Sequence, residues 1–164
     1  MDIENATTRM RQTARSIDTR VGIDPRPRKT MKVEEKLLTQ LEKQIGHSNP
    51  VFVSFQGVSS ELKIRSAKQN ENWSAFVPLD ELLETVLELR EVRVLEDGRP
   101  WFSLLVSRQK KEAPWEILYS YEGDLSGENF DWLSKEACHV DMAMFPRGLD
   151  SIPNWFAEKL GITV

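Results

Sequence analysis

The sequence predicts an α+β fold, with an antiparallel β-sheet of about five strands, helices packed on one face, and an N-terminal helical extension. Strand and helix patterns occur in blocks instead of alternating regularly, which argues against a doubly wound parallel sheet. The stretch from Gly98 to Leu125 predicts two strands joined by a charged turn. Hydrophobic residues make up 40% of the 164-residue chain and include five tryptophans, which is enough for one core.

Residues 1–29 are predicted to form an N-terminal helical extension and a linker, and residues 30–164 a single α+β domain. Apolar residues at helical spacing predict a thin amphipathic helix over 3–20; they are Ile3, Ala6, Met10, Ala14, Ile17 and Val21. Two prolines in the linker interrupt this pattern. Because the arginines of the extension interleave with acidic residues, a docked helix or a loose leader is favoured over a nucleic-acid-binding tail.

The first half of the domain predicts one helix followed by three strands. Val33, Leu37, Leu41 and Ile45 recur every fourth residue, and Gly46 is placed to end this helix in a left-handed cap. Alternating apolar residues in VFVSFQG and ELKIRSA predict a strand buried on both faces and then a half-exposed strand. A third strand is predicted in WSAFV, where the following proline stops it.

The stretch LDELLETVLELREVRV predicts a well-defined helix. Leu82, Val86 and Leu89 form one apolar stripe, while Asp80 either caps the helix or interacts favourably with its dipole. Two further short helices are predicted at 129–137 and 153–160, the second with a proline in its first turn.

The hairpin is predicted to contribute core residues. Trp101, Phe102 and Trp115 are expected to be mainly buried, and aromatic side chains alternate along the second strand. This aromatic face could stack on nucleic-acid bases, but its acidic surroundings repel phosphate, so core packing is the favoured interpretation.

The sequence offers little that indicates catalysis. The eight glycines form no phosphate-binding loop, and no serine stands in a nucleophile elbow. Cys138, His139 and Asp141 are close in sequence, but the second ligand pair of a zinc site is missing. An inert buried cysteine beside a surface histidine is therefore favoured, and neither an enzyme nor a cofactor is predicted.

Length and composition predict a cytoplasmic protein with no membrane partner. No apolar run approaches the ~18–20 residues that span a bilayer, and the N-terminus is polar without a signal-peptide core. The single cysteine excludes an internal disulfide.

Charge is distributed unevenly along the chain. From Glu112 onward there are ten acidic and three basic residues. This asymmetry indicates either a surface for a basic partner or ordinary solubilising charge. The candidate partner-binding residues flank the second hairpin strand and continue into the next segment; they are Glu116, Glu122, Asp124, Glu128 and Asp131.

The hairpin begins its first strand with Gly98, Pro100 and Trp101 and ends its second with Tyr119, Tyr121, Asp124 and Leu125, and the chain closes with the segment NWFAEKLGI. In these features it resembles the YezG-like immunity proteins. Two stretches depart from the family pattern, since residues 1–30 have no counterpart and the link to the last helix is longer.

Membership of that family would imply a cytoplasmic protein that neutralises a toxin domain delivered by neighbouring bacteria in a contact-dependent inhibition or other polymorphic toxin system. The expected partner is a cognate toxin C-terminal domain, commonly a nuclease, and not nucleic acid or a membrane. The protein itself is expected to be a monomer or weak dimer. An acidic secretion chaperone for an exported effector is the alternative, and it would need a dimerisation face and an exposed apolar groove.

Overall fold

The computed structural model describes residues 28–46, 51–68, 71–110, 112–123 and 129–162, so the helix predicted over 3–20 lies outside the described residues. The prediction of an α+β fold is confirmed. The elements are α1 (Arg28–Ile45), β1 (Val51–Val58), β2 (Glu61–Lys68), β3 (Ser74–Ala75), α2 (Asp80–Asp97), β4 (Ser103–Arg108), β5 (Glu116–Ser120), α3 (Lys135–Met144), a 3-10 turn (Leu149–Ser151) and α4 (Asn154–Lys159). None of the described helices has the length and apolar character needed to cross a membrane.

The five strands form one antiparallel sheet in the order β3-β2-β1-β4-β5. Every residue of β1 is buried, as the mixed alternation of its sequence predicts. The strand is the central one of the sheet and pairs with β2 on one side and β4 on the other. The third strand is shorter than predicted, since only Ser74 and Ala75 pair with β2. Trp73 is instead turned toward Phe52, with the two rings edge to face and their centroids 6.4 Å apart.

Helices α1 and α2 lie antiparallel on one face of the sheet. The apolar stripe predicted for α2 packs with that of α1 and with one side of β1 and β4 to form the larger core. Gly46 ends α1 with a φ of 70°, which confirms the predicted left-handed cap. The residue before α2 is Leu79, so Asp80 lies in the first turn, where its charge interacts favourably with the helix dipole.

Helices α3 and α4 form a second core at one end of the sheet. There Val58 at the end of β1 and Phe102 before β4 pack against Leu133, Cys138 and Phe156. The packing is close, because a Cβ at Gly57 would stand 2.9 Å from the Trp132 ring and 2.3 Å from the Glu61 carbonyl oxygen. With a φ of 122° as well, position 57 accepts glycine and disfavours any other residue.

The predicted boundaries of the helix at 129–137 are wrong, because α3 begins only at Lys135. Ser134 sets this start, since its Oγ accepts a hydrogen bond from the Ala137 N–H at 3.0 Å. The Glu61 carboxylate accepts bonds from both the N–H and the Oγ of Ser134, at 2.9 and 2.8 Å. A tertiary contact with β2 therefore contributes to the position of the helix start. The predicted last helix is confirmed as α4, which Pro153 precedes.

Candidate functional site

The candidate residues of the hairpin strand lie at opposite ends of β5. Glu116 is the first residue of the strand and pairs with Ser107 of β4. Glu122 follows the strand end, its side chain is 70% exposed, and its Oε1 lies 3.1 Å from Nη1 of Arg99. Six residues of extended chain span roughly 20 Å, so these two carboxylates do not share one patch.

Asp131 lies with Glu122 at the end of the sheet that α3 and α4 cover. It is exposed in the turn before α3, and it lines a surface cavity of about 500 Å³ together with Lys135, Trp155 and Lys159. The cavity continues toward Glu122, whose backbone carbonyl accepts a 2.7 Å hydrogen bond from Nε1 of Trp155. Since lysines and an arginine stand among the acids, the charge at this end is mixed.

The other two candidate residues, Asp124 and Glu128, lie outside the described residues. Of the five predicted positions, the structure thus brings Glu122 and Asp131 to the same end of the molecule and places Glu116 at the other.

A denser acidic surface lies on α2. We call it the α2 acidic face and define it as the exposed residues Asp80, Glu81, Glu84, Glu88 and Glu91. Among the described residues, one ion pair forms there, with Nζ of Lys36 lying 3.4 Å from the Glu88 carboxylate. The sequence contained the signal for this surface. The apolar stripe that predicts the buried side of α2 also predicts that these residues point away from it.

Exposed apolar side chains stand at both ends of the α2 acidic face. Val77 and Leu79, just before the helix, are 83% and 49% exposed, and Leu95 in its last turn is 70% exposed. Recognition surfaces commonly combine apolar contacts with charges that orient the partner. The face therefore has both components of a protein-binding surface.

A buried ionic network holds α2 from its opposite side. Arg90 is fully buried and makes a bidentate ion pair with Asp141 of α3, with Nη2 lying 3.0 Å from Oδ2. Arg147 donates a second bond to Oδ2 at 2.6 Å. Nε of Arg90 donates to the Trp101 carbonyl at 2.8 Å, and Nη1 to Oγ of Ser59 at 2.9 Å.

The environment of the network keeps Asp141 charged. Burial alone would raise the pKa of this carboxyl, but the hydrogen bonds and charges of Arg90 and Arg147 hold that pKa below its ordinary value. Burial also lowers the pKa of the Arg90 guanidinium, which Asp141 opposes. The hydrogen bonds of these groups tie α2 to α3, to the residue Trp101 before β4 and to Ser59 after β1.

The aromatic face of the hairpin belongs to the core, as predicted. Trp101 and Phe102 are 0% and 2% exposed, and Trp115 is partly buried against the core. The Tyr119 hydroxyl donates to the buried Glu34 of α1 at 2.5 Å, and burial raises the pKa of that hydroxyl well above its ordinary value. Trp101, Phe102 and Tyr119 are therefore packing residues of the core.

The second tyrosine of the strand ties β5 to α2. The Tyr121 hydroxyl donates to Asp97 at 2.7 Å and accepts from Nε of Arg93 at 2.8 Å. The guanidinium of Arg93 also lies 4.4 Å from the centre of the Tyr119 ring. These contacts leave α2 firmly held on the sheet.

The residues of the candidate metal motif do not converge. Cys138 is fully buried in the second core, His139 is exposed, and Asp141 is held by two arginines. Burial raises the pKa of the Cys138 thiol to about 11, so the sulfur stays protonated at neutral pH. Cys138 is thus buried and His139 is exposed, as the sequence predicted.

A scan against protein-family models and a search of curated proteins matched nothing for this chain. The resemblance to the YezG-like immunity proteins therefore stays a prediction from the sequence.

Proposed function

We propose that this protein is a cytoplasmic immunity protein that binds and neutralises a cognate bacterial toxin domain, with a nuclease domain as the favoured target. The α2 acidic face carries the proposal. A nuclease site that binds phosphate is basic, so an acidic surface both accelerates association and competes with the substrate for the same site. Inhibition by occupation of a site requires no catalytic residue in the inhibitor.

The geometry of the α2 acidic face suits a protein partner. From Glu81 to Glu91 the helix rises about 15 Å, a length that fits a cleft on a small domain. The buried side of α2 is fastened through Arg90 and Arg93, so its exposed carboxylates are presented from a rigid element. A preorganised surface loses little conformational entropy on binding.

The acids that follow the hairpin are proposed as a second contact region. Glu122 and Asp131 stand at the end of the sheet beside the cavity that Trp155 lines. Asp124 and Glu128, which lie between them in the sequence, are proposed with them. Glu116, at the far end of β5, is proposed as a separate contact. The mixed charge around Glu122 and Asp131 suits a partner with polar contacts more than one that is uniformly basic.

The described residues of α2 do not support the alternative of a secretion chaperone. A chaperone needs a continuous apolar groove for its client. Along α2 the exposed leucines are Leu79 and Leu95, which the helical rise separates by about 24 Å. Carboxylates occupy the exposed helix surface between these two residues.

Charge reversal tests this assignment. The substitutions Glu84→Lys, Glu88→Lys and Glu91→Lys, made together, are expected to slow association with the toxin domain by about tenfold or more at low salt. The proposal predicts that a neighbouring reading frame encodes a secreted protein with a C-terminal toxin domain, and that domain is the partner for this measurement. The free energy of unfolding is expected to change by less than about 0.5 kcal/mol per site, because the side chains are exposed.

Two matched variants separate the surfaces. Reversal of Glu116, Glu122 and Asp131 is expected to have a smaller effect, since basic residues already stand near two of them. Reversal of the exposed Glu136, Asp150 and Glu158 controls for net charge alone. If this last variant slows association as much as the α2 variant does, the binding responds to net charge and the α2 acidic face is not the site.

A further inference from the structure

The sheet has a second face that points away from α1 and α2. We define the second face by Phe52 and Ser54 of β1, Leu105 and Ser107 of β4, and Leu118 of β5. The strand register places these residues together, because Phe52 pairs with Ser107, and Leu105 pairs with both Ser54 and Leu118. Their sequence neighbours Val53, Leu104 and Val106 point into the larger core instead.

The second face is buried. Phe52, Leu105 and Leu118 are 8%, 1% and 7% exposed, yet they belong to neither of the two cores that the described residues form. Trp73 contacts Phe52 at one margin of the face, and α3 and α4 pack at the end of the sheet. The two described cores therefore leave this face without a covering layer, which a segment from outside the described ranges can supply.

The length of residues 1–27 makes them the suitable segment. The other stretches outside the described ranges contain at most five residues. Most of them must also join two neighbouring elements; residues 124–128, for example, connect Gly123 to Asn129, and both of these line the same cavity. The 18 residues predicted as a helix would span about 27 Å, close to the ~26 Å length of an eight-residue strand such as β1.

The start of α1 lies near the edge strand β5 of the sheet. Thr30 donates a hydrogen bond to Glu96 in the last turns of α2. One turn later, Glu34 accepts from Tyr119 of β5, which is the edge strand of the sheet. From this position the chain preceding Arg28 has a short path around β5 to the second face.

We propose that residues 1–27 dock on the second face, with their apolar stripe against Phe52, Leu105 and Leu118. Ser54 and Ser107 are small, so a helix backbone can approach the sheet closely between the larger side chains. The buried Oγ of Ser107 has no hydrogen-bond partner among the described residues, and polar side chains of the docked segment can supply one. The sheet then has a helical layer on both faces, and the α2 acidic face stays exposed on the outside. This inference does not depend on the proposed function.

Thiol accessibility in the full-length chain tests the docking. Ser107→Cys is expected to react slowly with a thiol reagent, and Cys138 contributes little because it is fully buried. Adding Met10→Asp and Ile17→Asp, which place charges on the apolar stripe, is expected to raise the rate about tenfold or more by opening the second face. Gln12→Asp and Thr19→Asp add the same charges to the opposite side of the predicted helix and are expected to leave the rate unchanged.

A second measurement does not disturb the docked surface. In a chain with Cys138 replaced by serine, a spin label is attached to Gln12→Cys and methyl NMR signals are recorded. The signals of Leu105 and Leu118 are expected to broaden. Those of Leu37 and Leu89, which lie in the larger core, are expected to stay sharp. Fast labelling of Ser107→Cys in the otherwise unchanged chain would overturn the proposal. The proposal would also be overturned if the two pairs of aspartate substitutions changed the labelling rate equally, or if the methyl signals of Leu105 and Leu118 stayed sharp. Protection of Ser107→Cys that is lost on dilution would overturn it too, because a second copy of the chain would then cover the face.

Discussion

Replacing Asp141 by alanine is expected to lower the free energy of unfolding by about 3–5 kcal/mol, a large part of the 5–15 kcal/mol typical of a domain. The carboxylate lies between Arg90 and Arg147, and all three side chains are at most 2% exposed. Without it, two buried guanidinium groups lose their counter-charge. Chemical denaturation of the purified variant measures the effect.

Two comparisons show whether charge burial causes this loss. His139→Ala changes an exposed residue on the same helix and is expected to alter stability by less than about 0.5 kcal/mol. Replacing all three network residues together (Arg90→Met, Asp141→Leu and Arg147→Met) is expected to cost less than Asp141→Ala alone, because no uncompensated charge remains. If Asp141→Ala costs under about 1 kcal/mol, the network does not tie α3 to α2 as described.

The network also predicts a pH dependence. Because the pKa of Asp141 is lower in the folded chain than the ordinary value of about 3.9, its contribution to stability is complete above that value. The contribution is lost as the pH falls through the lower pKa of the folded carboxyl. The stability difference between the unaltered chain and Asp141→Asn should therefore be constant from about pH 5 to 8 and narrow below pH ~4. A difference that stays constant down to pH ~2 would contradict this assignment.

Trp101→Ala is expected to have the second large effect, a loss of about 3–5 kcal/mol. The ring is 0% exposed within the larger core, and the carbonyl of the same residue accepts a bond from Arg90. A smaller loss is expected for Trp115→Ala, because that ring is only partly buried. If either change left the melting temperature unaltered and abolished partner binding, the ring would be a recognition group and not a core residue.

The elements of the fold that depend on local pattern could be predicted from the sequence. Local patterns indicate which side of an element is buried. They include the four-residue spacing of α1, the apolar stripe of α2 and the alternation in β1. The start of α3 could not be predicted in this way. It depends on Ser134, whose cap is supported by Glu61 across 73 residues of sequence.

Buried charge was the feature least accessible to sequence reasoning. Arg90 and Arg93 stand in a helix rich in charged residues, where an arginine is ordinarily a solvated side chain. Their partners Asp141 and Tyr121 come 51 and 28 residues later, so no local pattern connects them. The α2 acidic face could have been predicted, since the stripe that identifies the buried side also identifies its opposite. A count of charge along the chain pointed instead to the residues after Glu112.

Inhibition of the toxin domain tests the central claim most directly. The proposal predicts that a neighbouring reading frame encodes a secreted protein with a C-terminal nuclease domain. That domain would be purified, and its nuclease activity titrated with this protein at low and at physiological salt. We expect activity to reach zero at one equivalent, the complex to migrate as a one-to-one species, and association to slow as salt rises. Full nuclease activity in the presence of excess protein, with no complex formed at either salt concentration, would contradict the account.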